Sequence, residues 1–79
     1  MSVDALRRAL ATRPFRPFIL QLANGDSAVV PHPEFIWVHP TDPRTIAVAD
    51  EDGGVRLIDL LLVVEIQYTT SRHRRRRAG

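Results

Sequence analysis

The chain has neither cysteine nor lysine among its 79 residues. Without cysteine there is no disulfide framework and no thiolate zinc site to supplement a small core. A reducing compartment fits that usage. The missing thiol and amine also remove the commonest activated nucleophiles, and Ser27 and Ser71 stand without an evident base. Gly53-Gly54 lacks the following lysine and helix of a phosphate-binding loop. Aromatic residues make up 6% of the chain, so Trp37 and Tyr68 are the candidates for stacking a base. No apolar run approaches the roughly 20 residues that span a bilayer. Met1-Ser2-Val3-Asp4-Ala5-Leu6-Arg7-Arg8 has no apolar signal-peptide core. No membrane span, no cofactor and a cytoplasmic location are the expectations.

What is present is an ordinary globular composition, 44% hydrophobic and 25% charged. The length allows one domain with a core near the lower limit for independent folding. Charge is unevenly placed. Residues 1–71 carry six arginines against nine acids, a balance of −3, and residues 72–79 carry five arginines and no acid, a balance of +5. The expected organisation is a single folded unit over residues 1–70 and a flexible basic tail over 71–79.

Ser2 is placed to cap a short helix with Asp4 in its first turn, and Val3, Leu6 and Leu10 form its apolar stripe. Pro14 disfavours helical geometry at Arg13 and ends it. Pro14-Phe15-Arg16-Pro17-Phe18 then reads as a stiff connector whose two phenylalanines staple helix to sheet. Asn24-Gly25 suits a two-residue type I′ hairpin, pairing Ala23 with Asp26, Gln21 with Ala28 and Leu20 with Val29. That register sets Phe18, Leu20, Leu22 and Val29 on one apolar face. Pro31 stops the second strand.

Further strands are expected over Phe35–His39, Thr45–Ala49, Val55–Asp59 and Val63–Tyr68, with a short 3₁₀ turn at Leu60-Leu61-Leu62. In the last strand Val64, Ile66 and Tyr68 are read as inward. The fold class is mainly β: a small SH3-like or Sm-like antiparallel barrel of five to six strands with an N-terminal helix, or a strongly bent open sheet. The order of Pro14-Phe15-Arg16-Pro17-Phe18, Leu22-x-x-Gly25, His32-Pro33-Glu34-Phe35 and Ile58-Asp59-Leu60-Leu61-Leu62-Val63 resembles a group of small uncharacterised bacterial proteins. The resemblance covers residues 3 to 66, leaves out the arginine tail, and implies a fold without a known active site.

Polar clusters are sparse. His32, Glu34 and His39 have metal-ligand chemistry but match no site spacing, and Asp50-Glu51-Asp52 lacks the alternating ligands of a calcium loop. Both read as solvated turns, and no metal, no small-molecule substrate and no catalytic residue is expected. Two binding readings remain. Phe35, Trp37 and Ile58 exceed what a small core hides and form a candidate interface for a protein partner or a second copy, through an open strand edge. Arg72, Arg74, Arg75, Arg76 and Arg77 form a candidate contact for nucleic-acid phosphates or other anions.

Overall fold

The computed structural model describes residues 1–69. Helix α1 (Val3–Ala11) precedes strands β1 (Phe18–Leu22), β2 (Ser27–Val30), β3 (Ile36–Val38), β4 (Thr45–Ala49), β5 (Val55–Asp59) and β6 (Val63–Tyr68). Short 3₁₀ turns lie at Pro33–Phe35 and Leu60–Leu62. The strands make two antiparallel sheets, ordered β2-β1-β6 and β3-β4-β5. Among the described residues no ladder joins one sheet to the other, so no closed barrel is formed. No helix is long and apolar enough to cross a membrane among the described residues.

The helix begins as its sequence dictates, with the Ser2 hydroxyl accepting from the Ala5 N–H at 3.2 Å. At its end the Thr12 hydroxyl donates to Arg8 O, and the Arg13 guanidinium donates to Leu10 O at 2.8 Å. These bonds satisfy carbonyls that have no partner within a helix terminus. Leu6 and Ala9 are buried, with Val3 and Leu10 beside them. One core joins the helix to the inner faces of both sheets. The first sheet contributes Phe18, Leu20, Leu22, Ala28, Val30 and Val63, and the second contributes Ile36, Ile46, Val48 and Ile58. Phe15 packs against this cluster and meets the Phe18 ring at 5.8 Å, which is the stapling role expected of the connector.

The first hairpin differs from the sequence expectation by one residue. Gly25 N–H donates to Leu22 O and Leu22 N–H to Asp26 O, and Gly25 has φ +89° whereas no non-glycine residue has positive φ. The connection is therefore a type I turn closed by a left-handed glycine, a three-residue loop, because Asn24 stays on the favourable side of φ. Phe18 opposes Val30 and Leu20 opposes Ala28. Val30 and Ala28 thus enter the core, and Val29 turns outward with 52% of its surface exposed. A second correction concerns β6. Gln21 pairs with Glu65 but Leu22 pairs with Val63, so Val64 is the extra residue of a bulge. Val63 takes the buried place and Val64 faces solvent.

Candidate interaction surface

Alternation along the second sheet decides which side chains reach its outer face. Trp37 opposes Ala47, and Ala47 opposes Leu57; the next row sets Ala49 against Val55. Trp37, Val55 and Leu57 are 53%, 68% and 76% exposed, although each is a large apolar residue. Beside this row lies a shallow depression of about 170 Å³, whose lining includes Phe35, Trp37, Ala49 and Val55. Phe35 is half-buried and sits in the 3₁₀ turn that leads into β3 rather than in the strand itself. Charged side chains stand at the margins of this patch, Glu34 at the depression and Asp59 at the far end of β5.

Ile58, expected at the interface, is instead in the core at 6% exposure. The reason lies in its neighbour. Arg56 shares the inner face of β5 with Ile58, because its guanidinium donates to Ser27 O and to the Asp26 carboxylate, both at 2.8 Å. An arginine in mid-strand reads from sequence as solvent-facing, and that reading turns the whole strand over. Leu57 and Val55 occupy the surface that sequence reasoning gave to Ile58. The signal that could have found them is the alternation Val55, Leu57, Asp59 itself, since the last of these is charged.

The end of the sheet is polar and internally satisfied. The His39 Nδ1 accepts the backbone N–H groups of Thr41 at 3.1 Å and Asp42 at 2.8 Å, and its ring meets Trp37 at 5.3 Å. The Thr45 hydroxyl and then the Arg44 N–H donate to Asp42, and together they hold its carboxyl below the usual carboxylate range. Asp59 is lowered in the same direction, first by the Leu61 N–H and then by the Arg44 guanidinium at 3.0 Å. A depression of about 310 Å³ lies over these groups. Its acids are already engaged as turn and cap acceptors, so the arrangement serves the β3–β4 turn and the 3₁₀ turn after β5.

His32 and Glu34 are exposed around the turn before β3, and His39 follows that strand. Among the described residues no group of three histidine, aspartate or glutamate side chains is gathered that could hold a metal ion. Arg72, Arg74, Arg75, Arg76 and Arg77 lie outside the described residues. No family model, no curated protein and no solved structure matches this chain.

Proposed function

We propose that this protein is a small non-enzymatic assembly module that associates with itself through the outer face and open edge of its second sheet. One observation carries the reading: Trp37, Val55 and Leu57 stand solvent-exposed on one face of the sheet, with Ala47 and Ala49 between them. Contiguous apolar surface of this kind marks contact sites on soluble proteins. The half-exposed Phe35 belongs to the same surface. In this reading the two sheets and the 3₁₀ turn before β6 correspond to an opened SH3-like or Sm-like barrel, a likeness supported by their shared core.

The single tryptophan makes the test direct. Sedimentation velocity and acrylamide quenching are followed together from low to high micromolar concentration. Association is expected, with Trp37 emission shifting to the blue and quenching falling as it proceeds. A chain that stays monomeric with an equally accessible Trp37 throughout sinks the proposal.

A second reading is favoured by the charge split along the chain. Five arginines beyond residue 71 supply planar donors that pair bidentately with phosphate. Each phosphate neutralised on duplex DNA contributes about −0.9 to the slope of log affinity against log salt. The full chain and a 1–71 truncation are compared on duplex and single-stranded nucleic acid over a salt series. This reading expects weak, salt-sensitive binding that disappears on truncation; unchanged binding after truncation removes it.

A further inference from the structure

We infer that β5 pairs with β5 of a second copy, antiparallel and about a two-fold axis at Leu57, to give a dimer with one continuous six-stranded sheet. The inference rests on the self-association reading and specifies its geometry. Asp50 N–H donates to Gly54 O, and Leu60 N–H donates to Arg44 O. These bonds flank the β4–β5 ladder and belong to even-numbered residues on the β5 side. Hydrogen-bonding direction alternates along an antiparallel strand. The backbone N–H and C=O groups of Val55, Leu57 and Asp59 therefore point to the open side, where β5 is the last strand of its sheet.

Among the described residues the other three edges are guarded and this one is not. Sheets protect their edges with short strands, prolines, bulges and charges. β3 has three residues, β2 runs into Pro31, and β6 has the Val64 bulge and outward Glu65. β5 has five residues with no proline and no bulge against β4. Its one cation, Arg56, is turned inward to Ser27 and Asp26, and its one anion, Asp59, is held by Arg44. Neither is left to repel a strand that approaches the edge.

The length of the ladder selects the register. Outward-facing backbone must meet outward-facing backbone, which leaves axes at Arg56, Leu57 or Ile58. An axis at Arg56 leaves Asp59 out of the ladder. An axis at Ile58 leaves Val55 out of the ladder. The axis at Leu57 pairs all five residues, Leu57 with its own copy and Val55 with Asp59. It also joins the Trp37-Ala47-Leu57 row of each copy end to end, so the same apolar surface meets itself, as an isologous contact requires. The five residues of β5 are fewer than the roughly 20–30 a side of a standard interface. The dimer is accordingly reversible and concentration-dependent.

Sedimentation equilibrium on the full chain tests the pairing, with circular dichroism confirming that each variant folds. The wild type is expected to dimerise reversibly, and Leu57→Lys, which puts two cations on the axis, to weaken the dimer at least about tenfold. Because the chain has no cysteine, Leu57→Cys with a short bis-maleimide is expected to give a covalent dimer. Val55→Cys places the two thiols roughly 14 Å apart by strand rise and is expected to give little. Leu61→Cys, outside the strand, serves as the second control. A dimer that Trp37→Lys abolishes but Leu57→Cys does not capture overturns edge pairing and leaves self-association standing. A monomer at every concentration overturns both.

Discussion

On the outer side of the first sheet, Gln21 and Gln67 bond each other at 2.9 Å across β1 and β6, with Ser27 and Glu65 flanking them. Of the apolar residues among them, Ile19 is 9% and its partner Val29 52% exposed. On the outer side of the second sheet the corresponding places hold Trp37, Ala47, Ala49, Val55 and Leu57, and the three largest are more than half exposed. Both sheets share one core and spend their inner faces on it alike. The difference is one of size and grouping: the first sheet leaves Val29 exposed beside glutamines, whereas the second gathers a tryptophan, a leucine and a valine on one face. The edges repeat the contrast, with a bulge and a proline on the first sheet and an unguarded β5 on the second.

Alanine substitutions at matched places probe this contrast most strongly. Leu20→Ala in the first sheet and Ile58→Ala in the second both empty the common core, and each is expected to cost about 2–5 kcal/mol in urea denaturation. Their outer-face neighbours should diverge. Ile19→Ala removes a nearly buried side chain and is expected to cost on the order of 1–2 kcal/mol. Leu57→Ala removes an exposed one and should stay within about 0.5 kcal/mol at concentrations where the chain is monomeric. Equal losses at Ile19 and Leu57 would break the distinction between the two faces.

Next in size is the turn that sets which face the first sheet buries. Gly25→Ala forces a side chain into left-handed geometry and is expected to cost about 1–2 kcal/mol. Asn24→Ala loses the bond from Asp26 N–H to Asn24 Oδ1 at 2.9 Å and is expected to cost roughly 0.5–1.5 kcal/mol. A larger loss at Asn24 than at Gly25 would restore a type I′ turn and the earlier register.

The strands, though not their division into two sheets, were legible in outline because turn residues and alternation are local signals. Ser2, Pro14, Pro31, Gly25 and Gly53-Gly54 mark element ends by their own backbone restrictions, and the 3₁₀ turn at Leu60 follows from the Asp59 cap. What was not legible depended on partners distant in sequence. A two- or three-residue connection at Asn24-Gly25 is a choice of φ at one residue, yet it moves Val29 to the opposite face. The Val64 bulge is visible only against β1. Arg56 reads as an outward charge until Asp26, thirty residues earlier, is brought alongside. Each error exchanges inside for outside, since a one-residue slip in a strand inverts every side chain. Trp37 is therefore exposed as read from sequence, whereas Ile58 is buried and Leu57 stands at the surface in its place.

Smaller still is the link between the sheets. The Asp26 carboxylate of the Arg56–Asp26 pair is more than half exposed, so Asp26→Asn is expected to cost no more than about 1 kcal/mol, less at high salt. Arg56→Ala also removes the bond to Ser27 O and should cost somewhat more than Asp26→Asn. Double-mutant analysis separates the two contacts. If Asp26→Asn matched Ile58→Ala, the charge pair rather than the shared core would be joining the halves.

The smallest effect is confined to the end of the second sheet. Asp42 and Asp59 both have carboxyls lowered by hydrogen bonds they accept in the folded chain. A depressed folded-state value means that the ionised form is the one folding favours. Their contribution is thus complete above the ordinary carboxylate value of about 4 and is lost as pH falls below it toward the lowered folded values. Urea midpoints measured from pH 6 to pH 2.5 should decline over the acid end of that range. Asp42→Asn and Asp59→Asn should each flatten the decline while lowering stability at pH 6 only slightly, because both groups lie at the surface. The dimer edge supplies the sharper readout. Protonating Asp59 releases Arg44 beside β5, so wild-type association should weaken below about pH 4 and association of Asp59→Asn should not follow pH there. Identical profiles for the two chains would show that the Arg44–Asp59 pair has no part in keeping the β5 edge free of charge.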